Sequence, residues 1–62
     1  MKTWRLDYST KTGSAEAEDY LYVQAISIVE AVRLGISTIQ RTLPPNARFM
    51  VWDCGLMEDE VF

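Results

Sequence analysis

Few side chains in this sequence could carry chemistry, and the thiol of Cys54 is the first to consider. It follows Asp53 directly, and the 62 residues contain no histidine. A reactive cysteine needs positive surroundings that stabilise its thiolate, whereas a neighbouring carboxylate raises the pKa of the thiol. Without histidine, a general base would have to be a carboxylate, lysine, tyrosine or cysteine with a shifted pKa. We therefore interpret Cys54 as a packed strand thiol and predict that the protein is not an enzyme.

Carboxylates form the other group of candidates, and they fall into two clusters. The clusters are Glu16, Glu18 and Asp19 in the first half of the chain, and Glu58, Asp59 and Glu60 near its end. Consecutive carboxylates on a terminal segment do not converge on a cation as calcium-loop ligands do. One thiol without histidine cannot form a structural zinc site either. We predict no metal and no cofactor, and interpret both clusters as solvated or as accessory acidic contacts to a partner.

Two strands are predicted in the first 25 residues. The first strand is KTWRLDYST, whose alternation places Trp4, Leu6 and Tyr8 on one face. The second is DYLYVQA, which places Leu21, Val23 and Ala25 on one face. Between them, TKTGSAEAED contains the turn signal Gly13-Ser14 and predicts a flexible, acidic hairpin connection over residues 9–19.

A helix is predicted to begin after Ser27. Ser27 suits the N-cap, and Glu30 three positions later completes a capping box, in which each side chain accepts a hydrogen bond from a free backbone N–H group. The helix runs from about residue 28 to 42 and ends before Pro44-Pro45. At 100° per residue, one apolar stripe is expected to face the sheet: Ile28, Val32, Ile36, Ile39 and Leu43, with Val29 at its border.

Two helical residues depart from this simple pattern. Leu34 projects well outside the apolar stripe. Gly35 lies on the flank of the stripe, although glycine inside a helix costs about 1 kcal/mol relative to alanine. The absence of a side chain at Gly35 would allow close approach of a strand or a second helix, and we predict close packing inside the domain rather than a contact with a partner.

The third strand, ARFMVWDCG, completes the expected fold. Its alternation is ambiguous, because Phe49 and Val51 lie on one side while Met50, Trp52 and Cys54 lie on the other. Connection lengths and the handedness of crossovers favour strand one in the middle of the sheet. We predict an α+β domain of form β-β-α-β, in which a three-stranded antiparallel sheet has the order 2-1-3 and one helix packs on one face.

Covering one face with a single helix leaves large side chains on the reverse face. Beside Cys54, alternation places four large side chains there: Tyr20, Tyr22, Met50 and Trp52. The polar residues expected on the same face are Arg5, Asp7 and Gln24. The combined surface of the four large side chains approaches or exceeds the few hundred Å² that monomers usually expose. Aromatic residues and methionine are enriched at interfaces. We predict a protein interface formed by these four residues, with Leu34 as a further contact.

An alternative needs no partner. The connection over residues 9–19, or the end of the chain with Met57, Val61 and Phe62, would then fold over the reverse face. The two arrangements differ in whether the aromatic side chains are covered within a single chain.

Length and charge narrow the class of protein. A chain of 62 residues with 48% apolar residues is predicted to form one domain over residues 1–62, with an acidic tail over residues 56–62. A core of this size supplies about 3–5 kcal/mol, and a single cysteine excludes an internal disulfide, so homo-oligomerisation is the expected support. The net charge of −3 disfavours nucleic acid. No membrane segment or secretory signal is evident, which favours a cytoplasmic protein.

The stretch VQAISIVEAVRL, with Ala25, Ser27, Glu30 and Ala31, forms a strand-to-helix joint of the pattern A-x-S/T-x-x-E-A. It resembles the corresponding stretch of short bacteriophage early proteins that inhibit host RNA polymerase, and HicB-type antitoxin domains have a comparable joint. Those inhibitors carry arginines on the strand after the helix, where this chain has Met50–Trp52. The resemblance implies a small acidic α+β protein that acts by binding.

We therefore predict a small non-enzymatic protein-binding module that self-associates through the reverse face of its sheet. Its expected role is to occupy a surface on another macromolecule, as phage-type inhibitors do. A structural homo-oligomeric component of a larger assembly is one alternative, and a nucleic-acid-binding domain that stacks bases on its aromatic residues is another.

Overall fold

A computed structural model describes residues 1–57 of the chain. Its elements are strand β1 (Lys2–Thr12), strand β2 (Ala15–Ala25), helix α1 (Ile28–Thr42) and strand β3 (Arg48–Leu56). The predicted β-β-α-β form is confirmed. Within this part of the chain, no helix is long and apolar enough to cross a membrane.

The three strands form one antiparallel sheet of order β2-β1-β3, which confirms the predicted topology. β1 lies in the middle because the hairpin places β2 on one side of it and the connection through α1 returns β3 to the other. Leu6 marks the centre of the sheet, since it lies opposite Leu21 on β2 and Cys54 on β3.

The β1–β2 hairpin is longer and tighter than predicted. β1 and β2 pair without interruption from Lys2↔Ala25 to Thr12↔Ala15, so the connection contains two residues, Gly13 and Ser14. Gly13 has a φ of 64°, whereas Ser14 has a negative φ, the pattern of a type II′ turn. The prediction of a flexible connection over residues 9–19 is wrong. The small and polar side chains of this segment give no strand pattern, and its strand conformation comes from backbone pairing between β1 and β2. This segment therefore does not fold over the reverse face.

The start of α1 confirms the predicted capping pair with one change of partner. The backbone N–H of Glu30 donates to Ser27 Oγ at 3.3 Å. The Glu30 carboxylate accepts from the N–H of Ile26 at 3.1 Å, one residue before the donor that a regular capping box uses. The helix ends where predicted, with Leu43 as C-cap residue.

Helix α1 meets the sheet through a stripe that is rotated from the predicted one and shares Ile39 with it. Its fully packed line is Ala31, Gly35 and Ile39, at intervals of four residues. Ile28, expected in the buried stripe, is 47% exposed. The helix is rotated towards its small residues, because they allow its backbone to approach Leu6, which has no exposed surface. The prediction of close packing at Gly35 is confirmed.

A β-bulge in β3 corrects the predicted face of Cys54. Asp7 lies opposite Asp53 and Tyr8 lies opposite Val51, so Trp52 is an extra residue between two paired ones. Beyond the bulge the alternation is inverted, and Cys54 lies opposite the buried Leu6 on the helix side. The placement of Cys54 on the reverse face is therefore wrong, whereas Met50 and Trp52 lie on that face.

The end of β3 moves the boundary of the predicted tail. Leu56 belongs to β3, and the N–H of Met57 donates to Thr3 O at 2.9 Å, which extends the pairing with β1. The acidic tail therefore begins after the predicted residue 56. Its carboxylates Glu58, Asp59 and Glu60, and the side chains of Val61 and Phe62, lie outside the described residues.

Candidate protein-binding surface

The sheet face opposite α1, here called the open face, brings the four predicted interface residues to one side of the domain. Between 49% and 63% of each of these side chains is exposed: Tyr20, Tyr22, Met50 and Trp52. Tyr20 and Tyr22 come from β2, and Met50 and Trp52 from β3. Among residues 1–57, no segment of the chain covers them.

The open face consists of two apolar strips, one on each outer strand, and a polar row between them. The polar row lies on the central strand β1, where Arg5 is opposite Tyr22 and Asp7 is opposite Tyr20. Sequence alternation predicted both kinds of residue for this face. Their division into strips follows from the strand order, which was predicted and is confirmed, because β1 lies between the two apolar strands.

Arg5 holds the polar row and the tyrosine strip together. Its Nε donates to Asp7 Oδ1 at 3.1 Å, and its guanidinium carbon lies 4.3 Å from the centroid of the Tyr20 ring. The hydrogen bond to Asp7 raises the pKa of Arg5 above its usual value. The Tyr20 and Tyr22 rings meet edge to face, with centroids 5.6 Å apart. These contacts restrain the Tyr20 and Tyr22 rings within the single chain.

The end of the sheet near the hairpin turn carries both signs of charge. Lys11 Nζ lies 3.8 Å from Glu16 Oε2, and Arg48 lies opposite Lys11 on β3. A shallow hollow of about 590 Å³ opens here, and Glu18 adds a further carboxylate to its lining. Mixed charges around an open hollow do not select one class of small ligand. We interpret this end as the polar rim of the open face.

Leu34 does not join the other predicted interface residues. It lies on α1, 42% exposed, in the layer on the opposite side of the sheet from the open face. Sequence analysis also missed a second exposed apolar cluster at the start of α1, which contains Ile26 and Val29, 70% and 67% exposed. The available signal for it was the presence of three apolar residues, Ile26, Ile28 and Val29, around the N-cap Ser27.

No family model, curated protein or solved structure matches this chain. We therefore infer function from the open face alone. Within residues 1–57, no three side chains of histidine, cysteine, aspartate or glutamate are grouped so that they could hold a metal ion. The acids Glu16, Glu18 and Asp19 lie along the exposed edge strand β2.

Cys54 should react slowly with alkylating reagents in the folded protein. Its pKa is raised first by burial and then by the charge of Asp53, so the thiolate fraction at neutral pH is below that of a free cysteine. Because the pKa of Cys54 is higher in the folded than in the unfolded chain, the neutral thiol favours folding. This contribution to the free energy of unfolding is present below the unfolded pKa and is lost as the pH rises through the folded pKa. Alkylation by iodoacetamide, followed by mass spectrometry across the alkaline range, should give a midpoint above that of the chain in denaturant. A folded midpoint at or below the denatured one would contradict this expectation.

Proposed function

We propose that this chain is a non-enzymatic protein-binding module and that its open face is the binding surface. The observation that supports the proposal is the exposure of Tyr20, Tyr22, Met50 and Trp52 on one face that the described chain leaves uncovered. Aromatic residues and methionine give large contact areas, and the polar row of Arg5 and Asp7 supplies the hydrogen-bonding groups that interfaces also contain.

The first partner of this surface is a second copy of the chain. Two open faces that pack against each other bury the apolar strips of both copies, which a small domain needs because its own core is thin. The Arg5–Asp7 ion pair is already satisfied within each copy, so its burial leaves neither charge without a partner. In the cytoplasm, the open face of a single chain would instead occupy a surface of another macromolecule, as small phage-type inhibitors do.

Nucleic acid is the less favoured partner of the same face. Base-stacking surfaces combine aromatic rings with an electropositive groove. Here the guanidinium of Arg5 is engaged by Asp7 and by the Tyr20 ring, and the acids Glu16 and Glu18 lie on the same face as the tyrosines. Phosphate groups would meet a net charge of −3.

Truncation of Trp52 tests the proposal. Trp52→Ala should weaken self-association at least about tenfold, since buried tryptophans are frequent hot spots of binding. Sedimentation equilibrium over a range of concentrations measures the change. Leu34→Ala is the matched control, because it removes an apolar side chain of similar exposure from the opposite layer and should leave association unchanged. Equal association of wild type and Trp52→Ala, or a wild-type chain that stays monomeric throughout, would contradict the proposal.

A further inference from the structure

The sheet has two outer edges, and the edge of β2 is the longer one and has no bulge, whereas β3 contains the bulge at Trp52. β2 is 11 residues long and pairs with β1 alone among the described strands. In an antiparallel pair, residues alternately direct their backbone N–H and C=O groups to the partner and away from it. With the hairpin closing at Thr12↔Ala15, five residues of β2 direct theirs outwards: Glu16, Glu18, Tyr20, Tyr22 and Gln24.

A hydrogen bond supports this assignment. The N–H of Tyr20 donates to its neighbour Asp19, at 2.8 Å from Oδ1, so it is free of β1. Natural edge strands are usually protected by charged side chains, above all lysine, by proline, by a bulge or by short length. The charges of β2, on Glu16, Glu18 and Asp19, all lie in its first half. Within Ala15–Ala25 there is no lysine and no proline, and the pairing with β1 shows no shift of register. The edge has the length and regularity that strand pairing requires.

We infer that β2 pairs with β2 of a second copy, antiparallel and edge to edge, to give one continuous six-stranded sheet. The length and the charges of the strand together select the register. Centring the pair on Tyr20 aligns Ala15 of each copy with Ala25 of the other, so that all 11 residues are paired. Glu16 then lies opposite Gln24, Glu18 opposite Tyr22, and Tyr20 opposite its own copy.

Registers shifted towards the hairpin turn bring like charges together. Sliding one copy of β2 along the other by the smallest step that keeps the hydrogen-bond pattern places Asp19 opposite Asp19. Further steps place glutamates opposite glutamates. Like charges directly opposite each other destabilise a pair of strands. The acids lie in the first half of β2 and the second half has no charge, so the full-length register is self-complementary. One hydrogen bond must be exchanged, because the Asp19 carboxylate has to release the N–H of Tyr20.

The helices fit this arrangement. A two-fold axis perpendicular to the sheet leaves both copies of α1 on the same side, and the two β1 strands are then three strand spacings apart, roughly 14 Å. Packed helices need about 8–10 Å between their axes. The tyrosines of both copies, which lie on the edge strands, become neighbours in one cluster of four.

Edge pairing also enlarges the open face to the size that a stable interface needs. Three strands of 11, 11 and 9 residues present roughly 490 Å², whereas stable interfaces bury about 800 Å² per partner. Two chains joined at β2 present roughly twice that single-chain area. Packing of the enlarged open face against another such face rests on the proposed function. If it occurs, the two-fold axis of the edge contact and the two-fold axis of the face contact are perpendicular, and the assembly closes as a tetramer.

Proline at an outward N–H tests the edge contact without breaking the hairpin. Glu18→Pro removes a donor that β1 does not use, and proline is tolerated at such edge positions. Glu18→Thr is the matched control, because it removes the same charge but keeps the N–H group. We expect Glu18→Pro to weaken edge association more than tenfold by sedimentation equilibrium, with circular dichroism unchanged, and Glu18→Thr to associate at least as well as wild type. Backbone N-methylation of Tyr22 in a synthetic chain gives the same test if the proline variant is unfolded.

A double variant separates this inference from the proposed function. In Trp52→Ala the edge contact remains and a dimer is expected, whereas Glu18→Pro leaves the face-to-face dimer and the two changes together give a monomer. The register can be measured with spin labels attached at position 16 of each copy, in a Cys54→Ala, Trp52→Ala background. In the Tyr20-centred register the two labelled positions are eight residues apart along the strand, so the expected distance between them is about 27 Å. An unchanged association of Glu18→Pro, or the absence of that distance from the dimer, would overturn the inference whatever the outcome at Trp52.

Discussion

Replacing Leu6 with alanine is expected to remove most or all of the stability of the fold. Leu6 has no exposed surface, lies on the central strand, and packs under Gly35 of α1. Large-to-small changes of buried leucine cost about 2–5 kcal/mol. A domain of this size has about 3–5 kcal/mol in total. Urea unfolding followed by tryptophan fluorescence should show either no cooperative transition or one near zero denaturant.

Two comparison variants make this expectation specific to Leu6. Leu34→Ala removes the same side chain from an exposed position on α1, and should change the free energy of unfolding by less than about 0.5 kcal/mol. Leu6→Val removes one methylene and should cost on the order of 1 kcal/mol. A Leu6→Ala chain as stable as Leu34→Ala would show that the core lies elsewhere.

Substituting Gly35 should destabilise the protein although most glycine replacements in helices stabilise. Gly35→Ala would gain about 1 kcal/mol from helix propensity alone. However, a Cβ at this position overlaps the Leu6 Cδ2 methyl group, and Leu6 has no free surface into which it could move. Overpacking of this kind costs about 1–3 kcal/mol. We expect a net loss for Gly35→Ala and a larger one, about 3 kcal/mol or more, for the branched Gly35→Val.

The cause of the loss can be isolated by a double-mutant cycle with Leu6→Val. The shorter side chain removes the overlapping methyl group, so Gly35→Ala should be less harmful in that background, or favourable. Ser37→Ala, an exposed change in the same helix, controls for propensity and should stabilise slightly. Urea midpoints of the four chains of the cycle provide the measurement. Stabilisation by Gly35→Ala in the wild-type background would contradict close packing at this site.

The helix was the most predictable element, because its signals are local. Ser27 and Glu30 lie three residues apart and satisfy backbone groups of the same turn, so no distant residue is needed to place the start of α1. Pro44-Pro45 prevents its continuation by the geometry of proline itself. The rotation of the helix was not predictable in this way. It depends on the fit between Gly35 and Leu6, which are 29 positions apart in sequence.

The candidate surface was predicted in part. Alternation within β2 and the first half of β3 placed Tyr20, Tyr22, Met50 and Trp52 correctly on one face. It failed at Cys54, because a bulge inverts the alternation without a sequence signal such as glycine at position 52 or 53. The predicted strand order, with β1 in the middle, is confirmed, and this order sets the polar row of Arg5 and Asp7 between the two apolar strips.

The sequence by itself determined the elements, their order and the ends of the helix. It also determined most of the side chains that lie on each face of the sheet. These features follow from patterns within a few residues. Only the tertiary structure decided the length of the hairpin, the bulge at Trp52, the side of Cys54 and the stripe that α1 buries. These depend on which distant backbone lies alongside each segment: β1 extends β2 to Ala15, and Asp7 pairs with Asp53 rather than Trp52. Pairing and packing between distant segments have no local pattern from which they can be predicted.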